Sequence, residues 1–270
     1  MIKLKSVQTL LHLPRRSTLW LAGFFLSCLA LSPIAVAQVS PAGSWDFVIK
    51  GAEHGVAQVV FLSDGSLTGT AAFTYFGKRS VITNKHAVYT NIVAGADLTG
   101  RWAYDGTNRI MGYINEVWFA NPTNQVTNGI SFRGPIKPAK ITLSAHGSQG
   151  SLVLQGVPLI TTNDLSGTYV GSGRFRNSPF PFIEVSDFTP AGPNMYDVTG
   201  GGPGYTFTGQ FLVSRQRYAA FYQTSGFTPD GAQVTVYAGP FNLSKAKGVL
   251  KGTDGVNTGT VYKLLKGQGQ

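Results

Sequence analysis

Three histidines, three glutamates and a set of aromatic residues are the side chains from which this sequence could build a reaction or a binding site. Beyond the first 37 residues the histidines are His54, His86 and His146. None stands in a metal-ligand spacing such as H-x-x-x-H, and zinc chemistry needs several converging ligands. His54 and His146 each precede a glycine and are expected in exposed loops or turns. The glutamates are Glu53, Glu116 and Glu184. Glycoside hydrolysis needs two carboxyl groups at a set separation. Read as a strand, residues 113–119 put Tyr113, Asn115, Val117 and Phe119 on one face, and Ile114, Glu116 and Trp118 on the other. Glu116 is then either a buried acid beside Trp118 or an exposed edge residue, and Glu184 has a similar setting in Phe182-Ile183-Glu184-Val185. There is no G-x-S-x-G for a nucleophile elbow. Gly200 to Gly204 lacks the Gly-Lys-Ser/Thr ending of a phosphate loop. Asp254-Gly255 with Asn257 has far fewer acids than an EF-hand loop. No catalytic set, metal site or cofactor is expected. Aromatics remain, because such rings stack on sugars or line apolar cups. The candidate ligand-binding residues are Tyr113, Trp118, Glu116, Tyr205, Phe207 and Tyr222, with ordinary barrel core the alternative fate expected for most of these rings.

The elements that must position these residues are strands. No stretch shows a helical period of apolar residues. His54–Leu62 and Leu67–Phe76 are β-rich runs joined across Asp64-Gly65, and Asp-Gly tolerates the left-handed backbone of a tight hairpin. Asp105-Gly106, Asp230-Gly231 and Asp254-Gly255 repeat the device, and Asn128-Gly129 resembles it. Short strands with regular turns predict an all-β chain of two tandem antiparallel meander barrels or sandwiches. An internal echo supports the doubling. Gly43-Ser44-Trp45, Gly100-Arg101-Trp102 and Gly167-Thr168-Tyr169 share Gly-x-aromatic, each expected to begin a strand. Phe132-Arg133-Gly134-Pro135 pairs with Ala238-Gly239-Pro240-Phe241, each ahead of a basic segment. The polar joint Thr161–Asp164 divides a first domain, 40–160, from a second, 165–267. Lys78–Gly95 reads as a less regular excursion and Gly171-Ser172-Gly173 as a bend or bulge. The four prolines between Arg174 and Pro193 exclude a central strand throughout.

Residues 1–37 carry Lys3, Lys5, Arg15 and Arg16, then an apolar run, then Ala35-Val36-Ala37. This is the pattern of a secretory signal peptide, with cleavage expected before Gln38 and an exported destination, periplasmic or extracellular. The leader holds four of the 22 basic residues and none of the 12 acidic ones, so 18 against 12 leaves a net +6 on the remainder. That charge is spread out, with no stripe or module of a nucleic-acid binder. The only cysteine, Cys28, lies in the leader, which excludes an intramolecular disulfide. At 43% hydrophobic and 13% charged the chain is too apolar to be disordered. An outer-membrane barrel would end in a terminal aromatic, whereas this chain ends Gly267-Gln268-Gly269-Gln270, so stable membrane insertion is not expected. The expected partner is a small apolar molecule or a glycan. The expected activity is non-enzymatic binding or envelope interaction. The alternatives are a barrel-mouth hydrolase or isomerase using Glu116 or Glu184, and a purely structural protein.

Gly43-Ser44-Trp45 near the expected mature N-terminus, followed by antiparallel strands, resembles the opening of a lipocalin. The resemblance implies an eight-stranded cup, closed at one end by the tryptophan and holding an apolar ligand. It covers this motif and, less well, Gly100-Arg101-Trp102. The later lipocalin motifs, an Asp before a Tyr in a fixed loop and a late Arg beside the Trp, are not found.

Overall fold

A computed structural model describes residues 38–83, 86–118, 126–148, 150–174, 181–228, 231–253 and 258–267. The expected leader, together with Asp230 and the Asp254-Gly255 turn, lies outside them. Sixteen strands form two closed barrels. The first holds β1 (Gly43–Gly51), β2 (Glu53–Phe61), β3 (Ser66–Thr83), β4 (His86–Tyr104), β5 (Arg109–Trp118), β6 (Val126–Lys137), β7 (Lys140–Gly147) and β8 (Gly150–Pro158). The second holds β9 (Gly167–Arg174), β10 (Phe182–Gly192), β11 (Met195–Gly202), β12 (Tyr205–Ser214), β13 (Tyr218–Thr228), β14 (Gly231–Asn242), β15 (Lys247–Thr253) and β16 (Thr258–Lys266). Each strand pairs antiparallel with the next. β8 returns to β1 and β16 to β9, so neither sheet keeps an open edge.

The alternation that predicts strands also fixes their faces. In β7, Ile141, Leu143 and Ala145 point inward while Ser144 and His146 face solvent. The first interior is mainly aliphatic, built from residues such as Ile49, Val59, Leu98, Ile114, Ile130 and Leu154. The second is mainly aromatic, with Phe188, Phe207, Phe211, Tyr237 and Tyr262 around Phe221. An eight-stranded barrel has room for that many rings only where facing positions are small. Gly171 supplies such a position, since a Cβ there would lie 1.7 Å from Tyr262 Oη. Gly171-Ser172-Gly173 is therefore regular strand rather than a bend, and its glycines answer to the rings opposite.

The echo between the halves survives in the three-dimensional structure, with one correction. Trp45 and Tyr169 begin the first strand of each barrel, and each donates to the carbonyl four residues earlier: Trp45 Nε1 to Pro41 O at 2.7 Å, and Tyr169 Oη to Leu165 O at 2.8 Å. Gly134-Pro135 and Gly239-Pro240 both sit in the sixth strand. The residue after each proline donates to the turn before the fifth strand, Ile136 N to Asn108 O and Phe241 N to Arg217 O, both at 2.9 Å. Gly100-Arg101-Trp102 differs: it lies at the end of β4, where Trp102 Nε1 reaches back to Leu62 O at 3.0 Å.

Other expectations are also corrected. Asn128-Gly129 is strand, not turn, because Asn128 pairs within β6 opposite Glu116. His54 and His146 lie in β2 and β7, and His54 is half-buried, which pulls its pKa down. Residues 78–83 and 86–95 belong to β3 and β4, which pair with each other with register shifts between Phe76 and Val81. Arg174–Pro193 is, as expected, not one strand throughout: β10 covers Phe182–Gly192, Pro181 and Pro193 fall outside it, and Pro190 sits beside a register shift.

The two barrels belong to one compact unit, Gln38–Gln270. Their seam is an apolar patch in which Val56 and Ala72 meet Leu212, Ala220 and Ala238. Polar groups border it. Gln58 Nε2 donates to Pro193 O at 2.8 Å, and Gln216 Nε2 donates to Gln155 O at 2.8 Å and to Asp46 O at 3.3 Å. Asp46 Oδ2 accepts from Arg215 N at 3.0 Å. Burial pushes its carboxyl up to about 6, against the pull of Ser214 and Arg215, and Oδ1 has no well-formed hydrogen bond.

Candidate functional site

Each barrel buries a carboxylate toward the end away from Trp45 or Tyr169. In the first, Glu116 on β5 points inward, as the alternation allowed, and its Oε2 accepts from Asn128 Nδ2 at 3.1 Å. Ser148 Oγ donates in turn to Asn128 Oδ1 at 2.8 Å. Glu53, at the start of β2, is buried nearby, and neither of its oxygens has a hydrogen-bond partner. Burial, then the charge of Glu116, push the Glu53 carboxyl up to about 8, so it is mostly protonated at neutral pH. The space between these carboxyls and Phe47, Leu98, Ile130 and Leu143 is about 20 Å³, room for one water. The cup implied by the lipocalin resemblance is therefore filled along its described residues.

In the second barrel Glu184 Oε1 accepts from Tyr205 Oη at 2.5 Å, and Oε2 accepts from Gln223 Nε2 at 3.1 Å. Burial raises the pKa of both Tyr205 and Tyr262, and the negative charge of Glu184 raises them further. Glu116 and Glu184 occupy different barrels, so they do not form one carboxylate pair.

A wide concavity lies on the outside of the first barrel. Strand register puts outward residues of five strands into two rows. One row runs Arg101, Tyr113, Ser131, His146, Ser151, and the other runs Ala103, Met111, Arg133, Ser144, Val153. Serines in the middle of each row are short, while Tyr113, Met111, Arg101 and Arg133 stand tall beside them. The result is a groove of about 910 Å³. Tyr113 is 47% exposed and Met111 48%. Arg133 Nε donates to Asp105 Oδ2, which holds the Asp105 carboxyl below its usual range. His146 Nδ1 lies 3.3 Å from Ser151 Oγ, and among the described residues no carboxylate hydrogen-bonds the ring.

The sequence candidates are thus dispersed. Tyr113 lines the outer groove. Glu116 is inside the first barrel, and Tyr205 and Phe207 are inside the second. Tyr222 packs at the seam. Trp118 ends β5, and its side chain lies outside the described residues. Nothing in the sequence marks Arg101, Met111, Ser131, Arg133, His146 and Ser151 as a group. Alternation marks each as outward, but only the register shows that they are neighbours. Among the described residues no three His, Cys, Asp or Glu side chains are grouped to hold a metal. No helix there is long and apolar enough to cross a membrane. No family model, curated protein or solved structure matches this chain.

Proposed function

We propose that this chain is an exported, non-enzymatic binding protein whose ligand is a glycan held on the outer face of the first barrel. The observation that carries this reading is the pair of cross-strand rows. They set an exposed aromatic face and a thioether beside a floor of serine hydroxyls, with Arg101 and His146 in the same row. A sugar ring offers an apolar C–H face to stack on Tyr113 and hydroxyls to meet the serines and Arg101. The lysine- and arginine-bearing, acid-free leader ending Ala35-Val36-Ala37 supports export. Space for a single water between the inner carboxyls favours binding on the surface over hydrolysis inside.

The test is calorimetric titration of the exported protein with neutral and acidic oligosaccharides. Binding is expected, reduced about tenfold or more by Tyr113→Ala, the size of loss seen when a stacking contact worth ~1–3 kcal/mol is removed. Arg101→Ala is expected to weaken it as well. Equal binding by wild type and Tyr113→Ala would remove the groove from consideration. Turnover of an oligosaccharide that is lost on Glu116→Gln would replace binding with hydrolysis. Native mass spectrometry of the protein purified without detergent is expected to give a bare mass, because the filled interior retains no ligand.

A further inference from the structure

Five exposed aliphatic side chains gather on the outside of the second barrel. Register aligns Val249, Lys263, Ser172 and Ile183 in one row across β15, β16, β9 and β10, and Lys247, Leu265, Val170 and Val185 in the next. Ile183 is 57% exposed, Leu265 54%, Val249 50%, Val185 49% and Val170 41%. Their strands already bury Tyr169, Phe188, Leu250, Tyr262 and Leu264 on the inner face. These strands are therefore apolar on both sides, where one apolar side suffices to close a barrel. An exposed apolar cluster of this kind marks a contact with something else.

Charge indicates what that contact is. Lys247 and Lys263 sit within the rows, Lys251 is the next outward residue on β15, and Arg217 borders a groove of about 510 Å³ between Pro240, Val249 and Leu265. Neither row contains a carboxylate. The next outward residue along β10, Asp187, accepts from the Thr168 hydroxyl at 2.6 Å. A second copy related by a two-fold axis would bring this lysine-bearing face against itself. A tight protein interface would favour aromatic and arginine anchors, and neither row has one. Lysines alternating with aliphatics suit a different surface. The long lysine stems lie along apolar groups while their ammoniums reach anionic phosphates, as undirected point charges that need no fixed partner geometry. The aliphatic tips enter the boundary between headgroups and acyl chains.

We infer that this face of β15, β16, β9 and β10 docks the protein peripherally on an anionic phospholipid bilayer. Around an eight-stranded barrel, strands four apart are opposite one another. β9 is four from β13, which packs in the seam, so the patch faces away from the first barrel. β6, at the middle of the glycan groove, is likewise opposite β2 of the seam. Docking through the second barrel leaves that groove turned away from the bilayer. The docking inference does not depend on the glycan reading.

The test expresses the full chain, recovers the protein without detergent and reads its N-terminus by mass spectrometry. Sedimentation then compares vesicles of phosphatidylethanolamine with phosphatidylglycerol against vesicles of phosphatidylcholine alone, at low and high salt. Binding is expected on the anionic vesicles, weaker at high salt. Lys247→Glu with Lys263→Glu, and separately Ile183→Ser with Leu265→Ser, are each expected to weaken it about tenfold or more. All four positions point outward, so the fold is expected to hold, as circular dichroism checks; Val170→Ser with Val185→Ser is the substitute apolar pair. Vesicle binding unchanged in these variants overturns the inference, as does equal binding to neutral vesicles. A dimer in solution that Leu265→Ser dissociates assigns the patch to a second copy and also overturns it. Oligosaccharide titration of the same variants keeps the two readings separate. Lost vesicle binding with intact glycan binding supports both, and vesicle binding without any glycan binding sinks only the groove.

Discussion

The two barrels share a strand order but handle a buried carboxylate differently. In the second, Glu184 receives both a tyrosine hydroxyl and a glutamine amide, so its charge is met inside the barrel. In the first, Glu116 has Asn128, but Glu53 beside it has no hydrogen bond and stays protonated up to about pH 8. The surroundings differ in parallel. Aromatic rings carrying hydroxyls fill the second interior, whereas aliphatics that cannot donate fill the first. A carboxyl group is tolerated in a barrel core where the filling side chains supply partners, or where it gives up its charge. The contrast makes Glu184 a structural anchor and Glu53 a pH-sensitive weakness.

The largest expected effect comes from removing a ring. Phe221→Ala should cost about 3–5 kcal/mol, because Phe221 packs against five other rings at centroid distances of 5.8 to 6.3 Å. In residues 38–270 the tryptophans are Trp45, Trp102 and Trp118, all in the first barrel, so the emission of that stretch follows the first barrel while circular dichroism follows both. Coincident urea transitions in this variant would mean that the seam couples the barrels; separate ones would mean that the second unfolds first.

Next in size is a pair of substitutions with opposite signs. Glu184→Leu strands the Tyr205 hydroxyl and the Gln223 amide and should destabilise by about 3 kcal/mol. Glu53→Leu removes a carboxyl that has no hydrogen bond, and should be neutral or stabilising at pH 8. A comparable loss in both, read by urea denaturation, would erase the contrast.

Titration sharpens the same comparison. An acid whose pKa is raised by folding binds more protons folded than unfolded, so stability is highest at low pH and falls as pH rises between the two values. For Glu53 that window runs from 4.5 to about 8. Its contribution by pH 7 is on the order of 3 kcal/mol, from about 1.4 kcal/mol per unit. Asp46 adds a slope of the same sign between 3.8 and about 6. From pH 6.5 to 8 Glu53 carries the larger share of this fall, and Glu53→Gln should reduce the slope there; an unchanged slope would place the titrating group elsewhere. The smallest effect is expected at the seam, where Gln216→Ala loses two bonds to backbone carbonyls and should cost about 1 kcal/mol. It should also pull the tryptophan and dichroism transitions apart.

The fold was legible because its signals are local. Alternation along residues 140–147, the Asp64-Gly65 and Asp105-Gly106 turns, and the matched Gly-Pro pairs each report on a few adjacent residues. Gly100-Arg101-Trp102 misled because Gly-x-aromatic suits a strand end as well as a strand start; only the bond to Leu62 tells them apart. Gly171 departs from the expected bend for a related reason. Its need for hydrogen in place of a side chain arises from Tyr262, far away in the chain. The candidate site was legible only in part. Tyr113 and Glu116 were marked, and alternation put them on opposite faces. Tyr222 was offered as a ligand contact because nothing in its own strand says that another barrel covers it.

By itself the sequence determined the class of structure and its doubling, because period-two patterning, turn chemistry and repeated motifs act within a strand or a hairpin. It determined which residues of a strand share a face. Tertiary structure decided who meets whom. Barrel closure put Glu53 beside Glu116 and surrounded Glu184 with donors. Register across five strands turned separate serines, arginines and a tyrosine into one groove, and register across four turned scattered valines and lysines into one patch. Those contacts depend on turn lengths and register shifts accumulated around a whole barrel, which no window of adjacent residues contains.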